Sequence, residues 1–174
     1  MTRIVNLEEI KEIVKTHDIS SFIEQGFEAY SKGLVIVPPV GELIFDDPPG
    51  DTHIKYGYIK NDDYFVIKIA SGFYENKRES LPVGNGMMLV FSQKTGQPLA
   101  ILQDECYLTD VRTAVAGAIA AKYLSPANID RIGIVGTGYF TNSIGRERND
   151  HINNELADRH DPTDLMQDFL KKIK

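Results

Sequence analysis

The apolar positions of the chain fall into two periods. Leu7, Ile10, Ile13 and Val14 recur at helical spacing, and Asn6 with Glu9 makes a capping box, so residues 6–14 predict a first helix. Ser20 or Ser21 opens a second, with Phe22, Ile23, Phe27 and Tyr30 inward and Gly33 as its end. Residues 34–37 read as a short buried strand stopped by Pro38 and Pro39, and residues 46–51 as a loop with strong turn chemistry. Alternation then takes over. Residues 52–59 and 64–70 make one hairpin across 60–63, and residues 85–92 and 98–103 make another across 93–97. A third helix over 107–123 has Thr109 as cap, Asp110 in its first turn, and Leu108, Val111, Val115, Ala118, Ile119 and Lys122 recurring along one stripe. Residues 131–135 form a buried strand running into Gly136-Thr137-Gly138, and Asp161 begins the cap of a last amphipathic helix. The order predicts an α+β fold, a mixed sheet with helices on one face that passes into the start of an α/β unit. The domain boundary is expected between residues 1–125 and 126–174.

One residue of the third helix breaks the local rule. Counted from Thr109, Arg112 sits where free backbone N–H groups already make the potential positive, at a cost of up to about 1 kcal/mol. An anion held jointly by Arg112 and the helix N-terminus would remove the conflict. The plainer alternatives are a solvated arginine or one paired with Asp110 or Asp104.

Composition narrows the chemistry. The chain has 174 residues, 42% of them hydrophobic and 25% charged, which is ordinary for a globular protein with one real core. A net charge of −6 without a Lys/Arg cluster argues against nucleic acid. The single cysteine, Cys106, allows no intrachain disulfide and suits a reducing compartment. The acidic N-terminus is not a secretion signal and no stretch is long enough for a membrane span, so a cytoplasmic location is expected. His151 and His160 lack partners at metal-ligand spacing, and no metal site is expected.

Three stretches carry a resemblance: YFVIKIASGFYEN with Lys68 amid apolar residues, LTDVRTAVAGAIAAKYL, and RIGIVGTG. In this order and spacing they resemble the ornithine cyclodeaminase and mu-crystallin family, over about residues 34–138. The resemblance implies a mixed-sheet domain that binds a small amino or imino acid and dimerises, followed by a Rossmann-type domain for NAD(P). It implies that Lys68 and Arg112 bind the substrate carboxylate, with Lys68 also placed for proton transfer at the α-carbon. Thr113, Gly136 and Gly138 are its cofactor residues, the glycines matching the start of a dinucleotide turn. By spacing alone, Lys68 also fits a strand lysine facing water, and the glycine pair a plain turn.

The sequence departs from the family pattern in three places. No arginine lies between Arg3 and Arg78, so Arg112 and Lys68 are left to hold the carboxylate. Where ornithine enzymes place an acid for the distal ammonium, this chain has His53-Ile54-Lys55, and Lys55 points to an acidic or neutral substrate side chain. Position 141 is Thr where the fingerprint wants Gly or Ala, and only 36 residues (174 − 138) follow Gly138. Glu155 and Asp158 fall near the place of a ribose-binding acid, but no strand leads to them. The expectation is a substrate-binding, homodimeric domain with only the opening of a cofactor domain. Hydride-transfer chemistry is then incomplete in this chain, and the alternative is a non-catalytic carboxylate-binding or dimer-partner domain.

Overall fold

A computed structural model describes residues 1–124 and 126. In chain order the elements are β1 (Arg3–Val5), α1 (Leu7–Thr16), α2 (Ile19–Ser31), β2 (Val35–Ile36), β3 (Gly41–Asp46), β4 (Pro49–Ile59), β5 (Tyr64–Phe73), a 3-10 turn (Tyr74–Glu79), β6 (Gly84–Ser92), β7 (Pro98–Leu102) and α3 (Tyr107–Leu124). They give the expected α+β fold. None of the described helices is long and apolar enough to cross a membrane. The described chain divides into two compact units: Met1–Thr16 with Gly26–Leu108, and His17–Gln25 with the residues from Thr109.

The first unit holds the whole sheet, in the order β1-β7-β6-β5-β4-β2 with β3 also paired to β4. All pairings are antiparallel except β1 with β7. The two expected hairpins are present, turning at residues 60–63 and 93–97. Two strands were not foreseen. β1 pairs with β7, Arg3 opposite Ala100. β3 forms a hairpin with β4 in which Asp46 already opposes Pro49, so the expected 46–51 loop shrinks to Asp47-Pro48. Proline is tolerated there because a strand's first residue can do without a ladder donor. Residues 34–37 are not buried: only Val35 and Ile36 pair, at the sheet edge, and Leu34, Ile36 and Val37 are exposed.

The two faces differ. Val5 is 5% exposed, whereas Ile4, one residue earlier and on the opposite face, is 60% exposed. The Val5 side is therefore the covered one. α1 belongs to this unit and buries Ile10 and Val14; Ile13, expected inward, is exposed. Its capping box forms as the sequence predicts, with Glu9 N–H donating to Asn6 Oδ1 (3.0 Å) and Asn6 N–H to Glu9 Oε2 (3.2 Å). α2 ends in this unit at Gly33, whose φ of +68 supports the reversal; Leu34 N–H donates to Ala29 O and Gly33 N–H to Tyr30 O, both at 3.0 Å.

In the second unit α2 begins at Ile19, capped by Asp18, whose Oδ1 accepts from Ser21 N–H at 3.1 Å, rather than by Ser20 or Ser21. Ser20 is instead buried, while Phe22 here, like Phe27 and Tyr30 further along α2, is exposed and does not point inward. α3 buries Val111, Ala114, Val115, Ala118 and Ile119. Lys122 Nζ donates to both oxygens of Glu24 (2.7 and 3.0 Å) and the Tyr123 hydroxyl donates to the same carboxylate. These bonds hold Glu24 below the usual carboxylate range.

The start of α3 corrects the expected cap. The helix begins at Tyr107, and Asp104 Oδ2 accepts from Leu108 N–H at 3.1 Å, so Thr109 lies inside the helix. Arg112 is then the sixth helical residue, beyond the first turn whose free N–H groups create the positive end. The conflict with the dipole inferred from a Thr109 cap does not arise.

Candidate functional site

Strand register aligns five residues across the covered face of the first unit: Val5, Leu102, Met88, Lys68 and Lys55. β5 places Lys68 there because Tyr64, Val66, Lys68 and Ala70 share one side and Phe65, Ile67 and Ile69 the other. Lys68 is half-buried and Lys55 exposed. Their direct opposition in an antiparallel pair sets the two Cβ atoms about 5 Å apart, so two cationic side chains leave this face side by side.

Two further polar groups share this face. His53 stands opposite Ala70, its Nε2 2.9 Å from Glu42 Oε1 and its Nδ1 3.2 Å from Asp51 Oδ1. The Tyr74 hydroxyl donates to Asp51 Oδ2 at 2.9 Å, which raises its pKa. The second group is the turn that follows β7. Asp104 is 1% exposed, and burial raises its carboxyl above the ordinary value. The Leu108 amide and the nearby Lys68 charge pull it back down. Glu105 and Cys106 both adopt positive φ, 48 and 69. The Cys106 sulfur lies where β6 has only glycines: a Cβ built on Gly86 would stand 3.2 Å from it, and one on Gly84 3.9 Å.

The expected site residues thus separate into three sets. Lys68 and Lys55 come together as cross-strand neighbours in the first unit. Arg112 and Thr113 are consecutive residues of α3 in the second. Arg112 is exposed. Thr113 is half-buried and donates its hydroxyl to Thr109 O at 2.7 Å. Gly136 and Gly138 lie outside the described residues, as do the expected strand over 131–135, the last helix, and Glu155, Asp158, His151 and His160. Sequence reasoning missed Asp104 as a neighbour of Lys68, offering it only as a partner for Arg112. A short polar residue just ahead of a helix was the available signal.

Residues 1–146 match the model of the ornithine cyclodeaminase/mu-crystallin family. A putative dehydrogenase of Rhizobium meliloti is 41% identical over 116 residues, 67% of this chain and 35% of the relative. An alanine dehydrogenase of Archaeoglobus fulgidus is 31% identical over 137 residues, 79% of this chain and 41% of the relative. Among solved structures, an archaeal alanine dehydrogenase dimer with bound NAD superposes with a TM-score of 0.76 at 25% identity, covering 99% of this chain and 46% of that one. The chain therefore spans less than half the length of these relatives. Within that span the similarity is sufficient, and the chain belongs to the ornithine cyclodeaminase/mu-crystallin family.

Proposed function

We propose that this chain supplies the substrate-binding part of an NAD(P)-linked enzyme acting at the α-carbon of a small amino or imino acid. The observation that carries the reading is Lys68, a lysine on the covered sheet face whose charge acts on the buried Asp104 carboxyl, in a chain similar to an alanine dehydrogenase. Lys68 and Arg112 bind the substrate carboxylate, and Lys68 exchanges a proton near the α-carbon. NAD(P), when bound, accepts or supplies the hydride. In the oxidative direction the substrate loses that hydride and a proton from nitrogen to become an imine, which water or an internal amine then attacks; reduction runs the same steps backwards.

Thr113, Gly136 and Gly138 are assigned to the cofactor. The Thr113 hydroxyl already donates to Thr109 O, so it has lone pairs to offer and fits an N–H donor such as a carboxamide better than a phosphate oxygen. Lys55, opposite Lys68, reads the substrate side chain and favours an acidic or neutral one. The exposed apolar face of the sheet pairs two copies into a homodimer. A cytoplasmic location, where the single cysteine stays reduced, goes with this reading.

Thermal melts with tens of millimolar pyruvate, L-proline or L-glutamate provide the test. Wild type should gain a ligand-induced shift that Lys68→Met and Arg112→Gln lose, each weakening binding by about 2–5 kcal/mol. A shift of wild-type size in Lys68→Met would sink the reading. Lys55→Glu should move the preference from L-glutamate toward L-ornithine. Carboxylate binding without any response to NAD⁺ or NADH would favour the non-catalytic alternative.

A further inference from the structure

Asp104 is the one fully buried carboxylate among the described residues, and capping alone does not explain it. Its Oδ2 accepts from Leu108 N–H at 3.1 Å and its backbone carbonyl from Tyr107 N–H at 2.7 Å. A neutral Asn or Ser caps a helix about as well as Asp, and no cap needs to be buried. The chain nevertheless bends sharply to put an ionisable carboxyl there. Glu105 and Cys106 are consecutive non-glycine residues in the left-handed region. Gly86 has no side chain where a Cβ would meet Ile69 O at 2.4 Å and Cys106 Sγ at 3.2 Å, so the turn lies close over β6. Gly86 opposes Ala70, and the next row of the same face is Met88 and Lys68. Two charged side chains act on the Asp104 carboxyl: Lys68, which favours its ionised form, and Glu105, which opposes it.

We propose that Asp104 is a positioning residue for Lys68, a fixed counter-charge that holds the lysine protonated and in place on the covered face of the sheet. This goes beyond the carboxylate-binding role given to Lys68 and rests on it only for its use in the reaction. The lysine then meets a substrate carboxylate with its charge partly balanced, so the site's charge balance is set before the ligand arrives.

The test uses the whole chain and labelling with acetic anhydride, resolved by peptide, which reads the neutral fraction of each lysine amine. In Asp104→Asn the amide oxygen still caps Leu108, and Lys68 should label roughly three- to tenfold faster at mildly alkaline pH. Lys94, which pairs with Asp63, serves as the unchanged control. A folded Asp104→Asn in which Lys68 labels at the wild-type rate overturns the proposal. If Asp104→Asn does not fold, Lys68→Met answers from the other side: the Asp104 carboxyl, followed by its carbon-13 shift, should titrate at higher pH than in wild type. An unmoved titration overturns the proposal equally. Neither readout needs substrate, so absent carboxylate binding with intact coupling would refute the proposed function and leave this assignment standing.

Discussion

The two faces of the sheet are made by the same strands and differ in almost everything else. On one side run Val5, Leu102, Met88, Lys68 and Lys55, with the His53 carboxylate cluster beside them and Asp104 buried in the turn after β7. On the other run Ile4, Ile101, Leu89, Ile67 and Tyr56, flanked by a stacked Phe65–Phe91 pair with ring centroids 4.9 Å apart. Ile4, Leu43, Phe45, Tyr56, Tyr58 and Met87 are all exposed on that second side. The second face exposes a run of large apolar side chains, whereas the first carries the charged Lys68, Lys55 and His53 groups among apolar ones. On the proposed reading, one side meets a second copy of the chain and the other a small anion.

The largest expected effect separates two adjacent residues. Tyr56→Asp puts a charge on the apolar face and should weaken homodimer association at least about 100-fold, about 3 kcal/mol, while Lys55→Asp next door leaves association intact. Sedimentation velocity decides, and a wild type at monomer mass across micromolar concentrations would refute the pairing. Next in size is Gly86→Ala on the Lys68 side. Its Cβ would come within 2.4 Å of Ile69 O, which no side-chain rotation relieves. The substitution should cost about 1–3 kcal/mol and lower the melting temperature by several degrees.

The smallest effect is a slope. Burial raises the Asp104 carboxyl, so the folded chain keeps that proton at pH values where the unfolded chain has released it. This group alone then favours folding more as pH falls from its raised pKa toward the ordinary carboxylate value. Glu24, held low by Lys122 and Tyr123, does the opposite, losing its stabilising contribution as pH falls through its folded pKa. On acidification across that range, melts should show wild type gaining stability relative to Asp104→Asn. Parallel curves would show that Asp104 titrates alike in both states.

The central strands were legible because each face meets a different environment, and alternation records this residue by residue. Lys68 could be placed on its face from the sequence of β5 alone. Its opposition to Lys55 also needed the register, which the turn at residues 60–63 fixes. β1 was invisible for a physical reason: three residues pair with a strand nearly a hundred positions away, and nothing local announces that. The extent of α3 was legible, but its true cap was hidden by Glu105 and Cys106, since a left-handed turn is ordinarily marked by Gly or Asn. Placing the cap at Thr109 made Arg112 look strained. With the helix beginning at Tyr107, Arg112→Gln is no longer expected to stabilise the ligand-free chain.

Cys106 is the only sulfhydryl in the chain, and its sulfur lies over Gly86, one row from Lys68 and Met88. The protein therefore carries a single-site kinetic reporter in its native sequence. A small anion settling beside Lys68 should hinder approach to that sulfur. The alkylation rate then becomes a titration curve for occupancy, read without a tag, a chromophore or a change to any residue.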